Sequence, residues 1–318
     1  MNLRGVILDR DSFDRGDINL EPLLNCLQKW SHHPSSKNHE VAERITDCEV
    51  VITNKVVISK HELDHAPNLK LILLAATGTD NVDIEACKKK GITVCNVREY
   101  STPSVVQHTF TLILNLMTQM PRFIEDVGAN AWQQSDVFCL LNHPIRELAD
   151  KHLGIIGHGN LGSKVATIAE AFGMKVLICQ RPGGSPQPGR VPFSQLLAES
   201  DIVSLHCPLT PDTRNLFGLE EFKLMKSDAL IINTARGAII NSEALVTALR
   251  NGFIGGAGID VLDQEPPGED HPLVQNSIPN LILTPHNAWA SIETRQRLIS
   301  HLAANIDAWK QGNPINTV

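Results

Sequence analysis

The alternation of short apolar runs with longer stretches of helical spacing sets the tightest limit on what this chain folds into. Ten such runs, rich in Val, Ile and Leu, fall at residues 6–8, 49–53, 69–74, 93–96, 153–156, 175–179, 202–206, 229–233, 256–259 and 281–283. Apolar runs divided by helical segments are the pattern of βα units, and βα units build parallel sheets. Ten strands exceed one small sheet, and 318 residues at roughly 150 per domain predict about two domains. A break falls near 99–103, ahead of a long helix over Thr102–Thr118 with Thr102 as cap and Pro103 in the first turn. The last segment, 291–310, reads as one amphipathic helix with Ile292, Leu298, Leu302 and Ile306 on a shared face. The loop 181–192 holds Pro182, Gly183, Gly184, Pro186, Pro188, Gly189 and Pro192, so it continues neither a helix nor a central strand. Residues 265–272 are similar in composition, and no repeat with a period of about 20–50 residues points to a solenoid.

Composition narrows the function. Lys plus Arg total 28 against 35 for Asp plus Glu, a formal charge of −7, the wrong sign for a surface that neutralises phosphates. Nucleic acid is therefore not expected as a partner. Only 4% of residues are aromatic, with Tyr100 the single tyrosine, so aliphatic side chains must fill the cores. The seven cysteines are scattered, with no CxxC pair, which fits reduced thiols better than a disulfide framework or a zinc site. Met1 to Asp11 lack a basic segment followed by an apolar one, and no run approaches the ~18 apolar residues of a membrane span. The expectation is a soluble, cytoplasmic protein without membrane contact.

The sharpest local signal is Gly157-His158-Gly159-Asn160-Leu161-Gly162, set between the apolar run 153–156 and a helical stretch with Val165, Ile168 and Ala169. In that position the first glycine permits a tight turn, the second lets a pyrophosphate approach the backbone, and the third lets helix and strand pack closely. The helix start then offers amide groups and a positive dipole end to the phosphates. A carboxylate is expected about 20 positions on, for the adenosine ribose. Here the strand 175–179 runs into Gln180 and Arg181 instead. Gln180 can bond a hydroxyl and Arg181 can pair with a 2′-phosphate, so NAD and NADP both stay open.

A second constellation lies downstream. Asn233-Thr234-Ala235-Arg236-Gly237, Asp260 with Glu265, and Pro285-His286-Asn287 each follow an apolar run. In an open α/β sheet the carboxyl ends of the strands form the ligand crevice, so one cation, one carboxylate and one imidazole converge there.

With these motifs the chain resembles the D-isomer-specific 2-hydroxyacid dehydrogenases, most closely their glycerate dehydrogenase and hydroxypyruvate reductase branch. The resemblance also rests on Leu205-His206-Cys207-Pro208-Leu209-Thr210-Pro211-Asp212-Thr213, on 230–241, on Gly258-Ile259-Asp260-Val261 with Glu265-Pro266-Pro267, on Thr284-Pro285-His286, and on Ala76-Thr77-Gly78-Thr79-Asp80-Asn81-Val82-Asp83. It implies two Rossmann-like, doubly wound α/β domains with a cleft between them. The substrate-binding lid, flavodoxin-like and discontinuous, would comprise 1–100 plus 290–318, and the NAD(P)-binding domain 101–289. It implies Arg236 as the clamp on substrate carboxylate and carbonyl, His286 as acid/base, Glu265 as its partner, and backbone amides of Ala76, Thr77 and Gly78 on the substrate carboxylate. Cofactor contacts are implied for Gly157, Gly159, Asn160, Leu161, Gly162, Gln180, Arg181, Cys207, Thr234, Asp260 and His286. A homodimer through the nucleotide-binding domain is implied as well, around Thr102–Thr118 and 131–148, where Trp132, Phe138, Leu140 and Leu141 offer apolar surface.

The chemistry agrees with that assignment. Hydride delivery to C2 of a 2-keto acid puts negative charge on the carbonyl oxygen, which needs a proton and fixed positive charge. A neighbouring carboxylate favours a protonated imidazole, so Glu265 is expected to keep His286 able to donate. Hydroxypyruvate and glyoxylate are the favoured substrates by resemblance, with pyruvate not excluded. Asn54, Lys55, Arg98 and Tyr100 are candidates for substrate specificity. The rival reading is a non-catalytic, NAD(H)-sensing interaction protein of the same fold. Formate-oxidising relatives fit less well, because they carry Gln where this chain has Glu265.

Overall fold

The computed structural model describes residues 3–181, 184, 187–275 and 278–318. Its strands are β1 Arg4–Ile7, β2 Lys29–His32, β3 Val50–Thr53, β4 Leu71–Leu74, β5 Thr93–Cys95, β6 His152–Ile156, β7 Lys175–Cys179, β8 Arg190–Val191, β9 Ile202–Leu205, β10 Leu230–Asn233, β11 Gly256–Ile259 and β12 Leu281–Leu283. The chain divides into two compact units, one of Met1–Pro103 with Ala290–Val318 and one of Ser104–Trp289. Each unit carries its own parallel sheet.

In the first unit the strand order is β2-β1-β3-β4-β5, the flavodoxin-like arrangement. Its central strands β3 (Val-Val-Ile-Thr) and β4 (Leu-Ile-Leu-Leu) are buried at every position, because a parallel sheet with helices on both faces has no wet side. The helix Ile292–Lys310 is capped by Ser291, whose hydroxyl accepts from the Thr294 amide at 3.2 Å. Leu298, Leu302 and Ile306 are buried as their spacing predicts, but Ile292 is 54% exposed. At about 100° per residue it lies roughly 240° around the helix from Leu298, off the packed stripe.

The second unit has the order β12-β11-β10-β9-β6-β7-β8. Counted from β6 this is the doubly wound dinucleotide-binding order with one strand added, and the direction of winding reverses between β6 and β9. The two-sheet α/β class expected from sequence is thus what the chain adopts. The helix Thr102–Thr118 forms over the predicted span, burying Val105, Val106, Phe110, Ile113 and Met117. Two strands were not expected, β2 and β8. Both are edge strands; β2 (Lys-Trp-Ser-His) has no apolar alternation, and β8 is two residues inside the proline-rich loop. Pro182, Gly183 and Pro186 of that loop lie outside the described residues. Among the described residues no helix is long and apolar enough to cross a membrane.

Candidate active site

The glycine turn between β6 and the helix Asn160–Ala171 uses each glycine differently. Gly157 has φ +97°, and a Cβ there would stand 2.5 Å from the Cys207 amide nitrogen. The end of β9 therefore packs flush against the turn, an approach only glycine permits. A Cβ on Gly162 would stand 2.1 Å from the Gly157 carbonyl oxygen, which is the close helix–strand packing anticipated for the third glycine. Gly159 is the extended N-cap residue, with open space where its side chain would be. The first amides of a helix lack intrahelical acceptors, so those of Leu161 and Gly162 in its first turn are placed to donate next to that open space. The cradle fits a dinucleotide pyrophosphate in backbone shape and in polarity.

At the end of β7, the Gln180 backbone amide donates to the Val191 carbonyl at 2.9 Å and its side-chain amide donates to the Gly184 carbonyl at 2.9 Å. Arg181 is exposed, and the Arg190 guanidinium donates to the Cys179 carbonyl at 3.3 Å. Residues 180–192 contain two arginines and no carboxylate. Cys207 is half-buried, and burial pushes its thiol pKa up. The Thr234 hydroxyl is buried 3.2 Å from that of Thr109.

Three further turns carry the charged residues. After β10, the Asn233 side chain accepts from the Ala235 amide (3.0 Å) and donates to the Arg236 carbonyl (2.9 Å). This closes the turn that presents Arg236, a half-buried residue whose guanidinium donates to the Ala235 carbonyl at 2.8 Å. Beyond β11, Glu265 Oε1 accepts from the Leu262 amide at 2.8 Å, and Oε2 lies 2.5 Å from His286 Nδ1. A carboxylate only accepts, so Nδ1 carries the proton of this bond and Nε2 is the nitrogen that faces outward chemistry. The two side chains are 30% and 28% exposed, open enough to meet a solute.

His286, past β12, has φ +52°, a left-handed backbone that a non-glycine residue adopts only when held. Asp260 supplies the hold. Its carbonyl accepts from the His286 amide at 2.8 Å, and its carboxylate, 1% exposed, accepts from the Thr284 hydroxyl (2.6 Å) and the amides of Asn287 and Ala288 (3.0 Å each). His108 Nε2, on the helix Thr102–Thr118, stands 3.0 Å from the Thr284 hydroxyl and 3.5 Å from Asp260. His108 was not singled out in the sequence, and Thr284 stood there only within the Thr284-Pro285-His286 motif, with no role given to it. The available signal was Ser104 and His108 one helical turn apart in an apolar helix, and Ser104 indeed donates to the Ala288 carbonyl at 2.6 Å.

The remaining candidates belong to the first unit. Past β4, the Ala76 carbonyl accepts from the Val97 amide (3.1 Å), the Thr77 hydroxyl donates to the Val97 carbonyl (2.9 Å), and the Asn96 side chain donates to the Thr77 carbonyl (2.7 Å). These bonds hold the loop Ala76, Thr77 and Gly78 in one shape. Asn54 is buried and ties to the Ser12 hydroxyl at 3.1 Å, while the Asp9 carboxylate accepts from the amides of Asn54 (2.9 Å) and Lys55 (2.7 Å). Burial raises the Asp9 pKa despite those amides. Tyr100 is 6% exposed, and Arg98 Nε lies 3.3 Å from Asn96 Oδ1.

Comparison with known proteins places this arrangement in context. Residues 110–288 match the family model described as D-isomer specific 2-hydroxyacid dehydrogenase, NAD binding domain. The whole chain aligns at 42% identity with 99% of a glycerate dehydrogenase from Methylorubrum extorquens. A hydroxypyruvate reductase from Blautia hydrogenotrophica is 35% identical over 98% of each chain. Among solved structures, the TT0316 protein from Thermus thermophilus superposes with a TM-score of 0.84 at 32% identity, covering 99% of this chain and 100% of that one.

Proposed function

Because the chain belongs to the D-isomer-specific 2-hydroxyacid dehydrogenase family, we propose that it reduces a short 2-keto acid, hydroxypyruvate or glyoxylate, to the D-2-hydroxy acid. The observation that carries this reading is the bond between His286 Nδ1 and Glu265 Oε2, partly exposed and presented at the carboxyl ends of the adjacent strands β11 and β12. The names of the similar proteins, glycerate dehydrogenase and hydroxypyruvate reductase, support the choice of substrate.

The residues divide the work as follows. Arg236 binds the planar carboxylate and polarises the keto oxygen, since its fork makes two parallel hydrogen bonds. His286 Nε2 gives a proton to the oxygen as negative charge develops there. Glu265, accepting from Nδ1, orients the ring and offsets the positive charge of the imidazolium. Ala76, Thr77 and Gly78 contribute backbone amides to the substrate carboxylate. Gly157, Gly159, Asn160, Leu161 and Gly162 hold a dinucleotide pyrophosphate; Gln180 and Arg181 take the adenosine ribose, Cys207 and Thr234 line the path, and Asp260 meets the carboxamide. The bound nicotinamide cofactor, NAD or NADP, supplies the hydride.

We also assign the chain to a homodimer. Met120, Ile124, Trp132, Phe138 and Leu141 of the second unit are all exposed, Phe138 by 90%, and they supply apolar surface for a partner. A second copy covers it.

The direct mutational test uses purified protein, saturating NADH or NADPH, and hydroxypyruvate or glyoxylate. His286→Ala is expected to lower kcat by at least about a hundredfold, the scale of general acid catalysis. Near-normal turnover in a folded His286→Ala protein rules the assignment out.

A further inference from the structure

Glu265 sits on an exposed loop of two prolines and a glycine, yet its carboxylate must stay within hydrogen-bond reach of His286. The loop is fastened at both ends. At the start, a Cβ on Gly237 would stand 1.9 Å from the Leu262 carbonyl carbon and 2.3 Å from the Asp263 amide nitrogen. The backbone of 262–263 therefore lies directly on the turn that presents Arg236. At the far end, Leu273 is 4% exposed within the hydrophobic core of the unit.

Between these anchors stands a polar bond with no place in the mechanism above. His271 is 7% exposed, and its Nδ1 accepts from the Leu273 amide at 3.2 Å. The ring proton is thereby left on Nε2, which lies 2.9 Å from Asp263 Oδ1. Ser242 adds a 3.4 Å contact to the same oxygen. Both ring nitrogens are thus used, and the tautomer follows from the bonds rather than from chance. The bond spans eight residues, from 263 to 271, so it closes the loop that carries Glu265 and removes much of its freedom. The His271 bond, against the smaller opposing effect of burial, holds the Asp263 pKa below the carboxylate range.

We propose that His271 is a positioning residue, acting through Asp263 to hold Glu265 against His286. The inference rests on the reading of Glu265 as partner of the acid/base histidine. Preorganisation of this kind matters because misplacement by about 1 Å, even by a change away from the reacting atoms, can cost up to about a hundredfold in rate.

The test begins with Asp263, because its side chain is 50% exposed and its replacement leaves the core intact. Steady-state kcat and KM for hydroxypyruvate or glyoxylate are measured for Asp263→Ala, Asp263→Asn, Glu265→Gln and the Asp263→Ala/Glu265→Gln double variant. Asp263→Ala is expected to lower kcat about tenfold with KM for the keto acid within about twofold. Asp263→Asn, whose amide oxygen still accepts from His271, is expected to restore most of the rate. In the Glu265→Gln background Asp263→Ala is expected to add nothing, since it acts only through Glu265. His271→Ala, if folded, is expected to match Asp263→Ala and not to add to it. Losses that multiply in the double variant, or an Asn variant no better than Ala, overturn the inference. A normal loss in Glu265→Gln with full activity in Asp263→Ala defeats this inference alone; full activity in Glu265→Gln defeats the reading of Glu265 itself.

Discussion

His286 is held at two of its own atoms, Nδ1 by Glu265 and the amide by the Asp260 carbonyl, and the next two amides, of Asn287 and Ala288, are held by the Asp260 carboxylate. A residue at φ +52° would otherwise relax, so Asp260 has a structural task whether or not a cofactor is bound. Arg236 is the other residue whose chemistry is specific. Its Lys replacement keeps the charge but loses the fork, and kcat/KM for the keto acid is expected to fall by at least about tenfold, the scale of one lost charge-assisted hydrogen bond. Unchanged kinetics would show that Arg236 does not clamp the substrate. As candidates, Arg236, Glu265 and His286 were legible in the sequence because each lies just past an apolar run, while their proposed roles come from the family resemblance. The bonds of His108 with Thr284 and of Asp263 with His271 were not legible, because each depends on a partner that only folding brings near, 176 positions away for His108 and Thr284.

Among the elements, the glycine turns and the strand ends do most to position the site. Gly162→Ala puts a methyl group 2.1 Å from a backbone oxygen, a clash that costs about 1–3 kcal/mol. The variant is expected to melt several degrees lower and to bind NADH or NADPH more weakly in a fluorescence titration; wild-type values in both would refute the close packing. Acid stability has a source at the opposite strand ends. Burial disfavours the Asp201 carboxylate, but Lys226 Nζ at 2.8 Å and the His152 amide at 2.8 Å outweigh burial and hold its pKa below the ordinary carboxylate range. A depressed carboxylate stabilises the fold fully above its unfolded value of about 3.9 and ceases to do so as pH falls through its lower folded value. Asp201→Asn is therefore expected to lower the melting temperature at pH 7 and to narrow that gap at pH 3. An equal gap at both pH values would contradict the sign. The ten strands other than β2 and β8 were readable because a strand inside a parallel sheet is a continuous apolar run. The edge strands β2 and β8 were not, since an edge tolerates polar and very short pairing.

For the whole molecule, the chain order explains the late amphipathic helix: Ile292–Lys310 belongs with residues 1–103, so one unit is made from both ends of the sequence. The proposed homodimer is tested at this scale. Sedimentation is expected to give twice the 34.9 kDa chain mass, and Phe138→Asp to give single chains; a monomeric wild type rejects the assignment. The net charge of −7 does not oppose the proposed anionic substrate, because Arg236 would bring a local positive charge to it. The measurement closest to the central claim follows nicotinamide absorbance with purified protein, NADH or NADPH in turn, against hydroxypyruvate, glyoxylate and pyruvate. The expected result is steady oxidation of at least one cofactor with hydroxypyruvate or glyoxylate, yielding the D-2-hydroxy acid. No oxidation with any pair would contradict it and favour a protein that senses the dinucleotide without turning it over.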